Sequence, residues 1–189
     1  MMAAMPTQNS KFVMVASGKG GVGKTTTTVH LAYLLDGVII DLDPKKSTRY
    51  FKGLRSPVLD LKDPIPEGKN VVIDAPPSAE LVEQYARKYR ELLTHVVIPL
   101  QPTAEDYALA RHLYGIFSGI PGLKVGVLLN FLGPDRDSKL APTIVKEDFG
   151  WNLVGEISYR PAVFRNVRTS GLSLDSVDCY VPASVWVNA

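Results

Sequence analysis

One octapeptide limits what this chain can become more than any other feature. Gly18-Lys19-Gly20-Gly21-Val22-Gly23-Lys24-Thr25 fits G-x-x-x-x-G-K-[ST] in full. It follows a short apolar run, Lys11-Phe12-Val13-Met14-Val15-Ala16, that suits a buried strand. It precedes Thr25 to Leu35, where Val29, Ala32, Tyr33 and Leu35 fall at helical spacing. Strand, glycine loop and helix in that order make a cradle for phosphate. Glycines let the backbone curl until successive N–H groups point inward at phosphate oxygens, and the helix start adds the positive end of its dipole. In such a cradle Lys24 reaches the β- and γ-phosphates, and the Thr25 hydroxyl suits a Mg²⁺ position. The pattern predicts a nucleotide site.

The remaining chain alternates strands with helices. Gly37 is the expected C-cap of the first helix, and Val38-Ile39-Ile40 the next strand, with Asp41 and Asp43 at its carboxyl end. Residues 44–70 show no sustained period and are expected to be mostly loop, with one or two helical turns. Val71-Val72-Ile73-Asp74 is a third strand, and Leu81, Val82, Tyr85, Ala86, Tyr89, Leu92 and Leu93 share one helical face. Further strands are expected at His95 to Ile98, at Val125 to Leu129 (ending at Asn130) and, more weakly, at Leu153 to Ile157. Helices are expected over Ala104 to Phe117 and near Ala141 to Asp148. Strands separated by helices of this length imply an α/β fold: a mostly parallel, doubly wound sheet with helices on both faces. Ligands of such sheets bind beyond the carboxyl ends of the strands. Asp41, Asp43, Asp74 and the glycine loop all sit there.

Asp74, at the end of an apolar strand, suits a place in a Mg²⁺ shell through water, because that cation prefers oxygen ligands and keeps several waters. Guanine-specific proteins read their base with Asn-Lys-x-Asp; here the candidate strand end is Asn130-Phe131-Leu132-Gly133, so adenine is favoured. The expected cofactors are ATP and Mg²⁺. The 189 residues predict one domain, residues 11–189, after a disordered start at 1–10. With 46% hydrophobic and 21% charged residues, wholesale disorder is excluded. Cys179, the one cysteine, excludes an internal disulfide and a multi-cysteine metal site. No apolar run approaches the roughly 18 residues of a membrane helix, and no signal peptide is evident. The net charge of +2 is too small to indicate nucleic acid by itself. His30, His95 and His112 lie far apart without ligand spacing and read as structural or surface residues.

Lys19-Gly20-Gly21-Val22-Gly23-Lys24-Thr25-Thr26 resembles the deviant Walker A loop of the ParA/MinD family of ATPases, which carries an extra early lysine. Val38-Ile39-Ile40-Asp41-Leu42-Asp43-Pro44 is similar to that family's second motif. Val72-Ile73-Asp74-Ala75-Pro76-Pro77-Ser78 is similar to its Walker B and switch segment. His95-Val96-Val97-Ile98-Pro99-Leu100-Gln101-Pro102-Thr103 resembles the strand and loop that follow in partition ATPases, and Val127-Leu128-Leu129-Asn130 the strand whose terminal Asn faces adenine. The resemblance runs from about Lys11 to Ser173.

The resemblance implies an ATP-sandwich homodimer in which Lys19 reaches the partner's phosphates, Asp43 positions the attacking water, Asp74 joins the Mg²⁺ shell, and Asp41 supports the loop and the outer metal shell. It implies slow hydrolysis, binding to non-specific DNA, a ParB-like centromere-binding partner, and a cytoplasmic, nucleoid-associated location. Arg160, Arg165 and Arg168, with Lys139 and Lys146, are the candidate DNA surface, weighed against scattered surface charge. Lys45, Lys46, Arg49, Lys52 and Arg55 form a second basic run that a solvated loop explains equally well. MinD-type proteins end in a basic amphipathic helix; Val181 to Ala189 holds Pro182 and no basic residue, so membrane targeting is not expected and the family's closing helix is expected to be shortened or lost. The alternatives are a MinD-like positioning ATPase, a biosynthetic enzyme of dethiobiotin-synthetase type, and a nucleotide-gated adaptor with little hydrolysis.

Overall fold

The computed structural model describes residues 10–189, so the expected disordered start lies outside it except for Ser10. Seven strands, β1 (Phe12–Val15), β2 (Gly37–Asp41), β3 (Val58–Leu59), β4 (Asn70–Asp74), β5 (His95–Leu100), β6 (Lys124–Leu132) and β7 (Leu153–Ser158), form one sheet in the order β3-β2-β4-β1-β5-β6-β7. All six pairings are parallel. The apolar runs give the reason: their side chains alternate between two covered faces, as parallel strands require. In β1, Phe12 and Met14 enter one core while Val13 and Val15 enter the other.

Eight helices supply the covers: α1 (Lys24–Leu34), α2 (Ala79–Tyr89), α3 (Ala104–Ser118), α4 (Arg136–Thr143), α5 (Pro161–Phe164), α6 (Val167–Ser170), α7 (Leu174–Asp178) and α8 (Val181–Asn188). Val82 and Ala86 of α2, with Leu113 and Phe117 of α3 and Ala141 of α4, pack in the first core. Val29 and Ala32 of α1, Val167 of α6, and Ala183 and Val187 of α8 pack in the second. The starts of α2 and α3 are fixed by side-chain caps: the Ser78 hydroxyl accepts from the Leu81 N–H and that of Thr103 from the Asp106 N–H. The doubly wound α/β architecture is the one the sequence implies, with the sheet parallel throughout. Among the described residues no helix is long and apolar enough to cross a membrane.

Two expectations are corrected. Gly37 is not the cap of α1: Asp36 takes the left-handed conformation (φ 47°), and Gly37 opens β2. Glycine is needed there for another reason, since a Cβ would lie 2.9 Å from the Asn70 carbonyl of β4. Residues 44–70 hold, besides a 3-10 turn at Ser47–Tyr50, the edge strand β3, too short at two residues to show a period. The chain closes on the eight-residue α8, with Ala183 and Val187 buried and Val185 exposed.

Two buried histidines tie the C-terminal helices to the sheet layer. His30 of α1 donates from Nδ1 to the Thr26 carbonyl (2.7 Å) and stacks on Tyr180, centroids 4.3 Å apart. His95 of β5 meets the Trp186 ring edge-on at 5.0 Å. Burial lowers both imidazoles from 6.5 to about 4. The unfolded chain therefore takes up these protons first as pH falls, so their contribution is complete above 6.5 and is lost between 6.5 and 4. For His30 that amounts to the order of 3 kcal/mol. Urea titrations at pH 7 and pH 5 should show a larger loss of stability for the parent than for a His30→Gln, His95→Gln variant. Equal losses would show that these side chains do not set the acid response.

Candidate nucleotide site

The carboxyl ends of the central strands bring the site together. Asp74 is level with Val15 of β1 and with Asp41 of β2. The glycine loop therefore leaves β1 beside the Asp74 carboxylate. Lys24, at the start of α1, is buried, with Nζ 3.8 Å from Asp74 Oδ1. The Thr25 hydroxyl donates to Asp74 Oδ2 (2.8 Å) and that of Thr28 to Oδ1 (3.0 Å). Burial pushes the Asp74 carboxyl up to about 6, against the pull of Lys24 and of the two hydroxyls; the nearby Asp41 adds to the rise. A divalent cation would reverse that balance.

Among the described residues no three acidic, histidine or cysteine side chains converge into a metal cage. The donors present still fit Mg²⁺, which needs only one or two protein oxygens when phosphates and water complete its octahedron. Thr25 and Asp74 would hold it.

Gly23 closes the loop in the left-handed conformation (φ 89°) as the N-cap of α1. The Asn130 amide at the end of β6 donates to the Val22 carbonyl (2.8 Å), and a Cβ on Gly23 would fall 2.6 Å from that same nitrogen. Asn130 thus props the loop from behind. Its buried Oδ1 has no hydrogen-bond partner among the described residues, leaving an acceptor for an amino group.

Asp41 and Asp43 divide their work. Asp41 Oδ1 accepts from the Asp43 N–H (2.9 Å), and Oδ2 accepts from the Thr48 N–H (3.0 Å) and hydroxyl (2.6 Å). Both oxygens are thus engaged in shaping the loop. Asp43 lines the cleft together with Lys45, and its Oδ1 accepts from the Lys45 N–H (2.9 Å).

The cleft over Gly20, Gly21, Gly23, Lys24, Thr25 and Thr26 measures about 300 Å³. Beside it lies a more apolar cavity of about 210 Å³ bounded by Asn130, Ile157, Phe164 and Tyr180; Gly23, Thr26 and Phe131 line both. A polar cleft continuing into an apolar pocket matches a polyphosphate joined to a base.

Lys19 points elsewhere. Its ammonium lies 2.7 Å from Glu105 Oε2 and 2.5 Å from Asp106 Oδ1 at the start of α3, and these hydrogen bonds raise its pKa. The five candidate DNA residues are not on one face. Lys139 on α4 and Lys146 just beyond it (3.9 Å from Glu156) belong to the layer over the first core, whereas Arg160, Arg165 and Arg168 flank α5 and α6 over the second. Arg168 lines the phosphate cleft itself.

Sequence reasoning missed several contributors. Phe131 reaches both cavities from a left-handed backbone (φ 60°) that its residue type does not announce. Phe164 comes from the one-turn α5, too short to show a period, and Tyr180 from the turn between α7 and α8. Gln101, whose amide donates to the Gly21 carbonyl (3.1 Å), stood inside a quoted motif without a role.

A family model described as the CobQ/CobB/MinD/ParA nucleotide binding domain matches residues 13–171. No curated protein matches by sequence. Solved structures match in fold. A putative plasmid partition protein from Borrelia burgdorferi B31, bound to AMPPNP, has a TM-score of 0.72 at 18% identity, covering 95% of this chain and 98% of that one. The septum site-determining protein MinD from Pyrococcus horikoshii, complexed with Mg-ADP, has 0.67 at 15%, covering 97% and 96%. Cobyrinic acid a,c-diamide synthase from Mycobacterium smegmatis, with an ATP analog and magnesium, has 0.65 at 17%, covering 95% and 93%.

Gly23→Ala tests the loop. Strain at positive φ costs about 1–2 kcal/mol, and the new methyl displaces Asn130. Calorimetric titration with Mg-ATP should show at least tenfold weaker binding than the parent; equal affinity would refute the support assigned to Asn130.

Proposed function

Because the chain belongs to the CobQ/CobB/MinD/ParA nucleotide-binding family, we propose that it is a ParA-like partition ATPase, forming an ATP-sandwich dimer on non-specific DNA and hydrolysing ATP slowly to drive DNA segregation. The observation that carries the reading is the cluster of Lys24, Thr25 and Asp74 beneath the glycine loop, with Asp43 across the cleft. Lys24 offsets charge on the β- and γ-phosphates. Mg²⁺ held near Thr25 and Asp74 would neutralise charge on the transferring phosphoryl group. Asp43 lines the cleft where an attacking water would be oriented. Its Oδ1 accepts from the Lys45 N–H, which fixes the carboxylate for a positioning role.

Lys19 is the dimer element of this reading. To reach a partner's nucleotide it must leave Glu105 and Asp106, so ATP binding and assembly compete with a contact inside one chain. The similarity to a plasmid partition protein supports the partition role, and Arg160 and Arg165 supply exposed positive charge near the edge of the sheet. Phosphate contacts by such residues would make DNA affinity fall steeply with salt. A MinD-like positioning ATPase is the second reading, favoured by a comparable fold similarity to the P. horikoshii protein.

A DNA titration with ATP, ADP and no nucleotide, at several salt concentrations, separates the two. The partition reading expects binding that requires ATP and weakens with salt. Lys19→Ala should still bind ATP yet lose both the ATP-dependent dimer, seen by light scattering, and the DNA complex. ATP-dependent dimers without DNA binding at low salt would select the MinD-like reading. Dimerisation of Lys19→Ala at the parental level would refute the sandwich, and absence of ATP-dependent assembly in the parent would return the biosynthetic or adaptor class.

A further inference from the structure

We propose that Arg168 belongs to the nucleotide site, its guanidinium binding the polyphosphate chain of the nucleotide held by the same protomer. The inference rests on the ATP-binding reading above and adds to it a residue from far along the chain. Arg168 lines the phosphate cleft together with Lys24, Thr25, Asp43 and Lys45. Asp43 is the lone carboxylate in that lining, so the cleft is cationic before any contribution from backbone N–H groups.

The residue is held through both its backbone and its side chain. The Arg168 carbonyl accepts from the Lys52 N–H (2.9 Å), which pins α6 to the segment following the 3-10 turn. That turn is in turn fastened to β2 through Thr48 and Asp41. The guanidinium carbon lies 5.6 Å from the centre of the buried Phe51 ring. A guanidinium over an aromatic face keeps its N–H donors at the rim, free for an anion. Phe164 and Val167, packed in the second core, hold the neighbouring turns.

Arg168 also lacks an internal partner. Among the described residues no carboxylate lies within ion-pair distance of Arg168, as is also true of Arg55, Arg111, Arg136, Arg160 and Arg165; unlike these, Arg168 lines the phosphate cleft. A permanently charged fork, oriented by Phe51 and facing a cationic cleft, is matched by an anion with several oxygens. Phosphate fits that geometry in a bidentate way, as Lys45 with its single point charge does not. Arg160 and Arg165 do not line the cleft, so the assignment separates Arg168 from the candidate DNA set.

The test is calorimetric titration of the parent, Arg168→Gln and Arg168→Lys with Mg-ATP between low and high salt. Arg168→Gln should bind about tenfold more weakly at low salt, with the difference shrinking as salt rises and with an apo melting temperature like the parent's. Arg168→Lys should fall between the two. If the parent binds ATP and Arg168→Gln matches it within twofold, the assignment is wrong while the ATP reading stands. A loss of equal size at every salt concentration, or one shared fully by Arg168→Lys, would show a packing role through Phe51 and also overturn it. Absence of ATP binding by the parent would remove the ATP reading itself.

Discussion

Asp74 carries a carboxylate into a place with no solvent exposure, and the site is organised around making that tolerable. Lys24 and the hydroxyls of Thr25 and Thr28 all come from the first turns of α1, and all converge on its two oxygens. These contacts fasten the helix to β4 and so set the angle at which the glycine loop leaves β1. Without them, a buried carboxylate would cost several kcal/mol. The partial compensation is informative: burial still wins, leaving the carboxyl pushed up to about 6. A cation arriving beside Asp74 would favour its charged form and offset the cost of burial.

The sheet and the loop were legible because their signals are local. Val-and-Ile runs ending in Asp, and a glycine loop between strand and helix, depend on neighbouring residues in the chain. Asp74, Lys24 and Thr25 meet where the motif spacing leads one to expect. Asp41 was read in part: its support of the loop is clear, and both its oxygens are spent on Asp43 and Thr48. The destination of Lys19 was not legible. Its partners Glu105 and Asp106 lie 86 and 87 positions further on, and the capping of α3 by Thr103 brings them to the loop. Basic residues proved the least legible of all, because a count of Lys and Arg says nothing about which face of a sheet carries them.

The region beyond β7 shows why the C-terminal third resisted reading. Helices of four or five residues present one turn each, so no period can emerge. They are stabilised by the burial of Val167 in the core and the His30–Tyr180 stack, with a local Ser173–Ser176 capping box at the start of α7. Such helices have little stability of their own. They nonetheless furnish Phe164 to the apolar pocket and Arg168 to the cleft, and the turn after α7 adds Tyr180 to the pocket.

Tyr180 faces two ways, stacked on His30 beneath α1 and forming part of the wall next to Asn130. A ligand filling that wall and the helix that follows Tyr180 thus draw on a shared ring. By linkage, any effect of pocket occupancy on the packing of α8 is returned as an equal effect of that packing on the pocket's affinity. Hydrogen exchange at the backbone amides of α8, on the same face of the sheet as α1, would then report how full the pocket is.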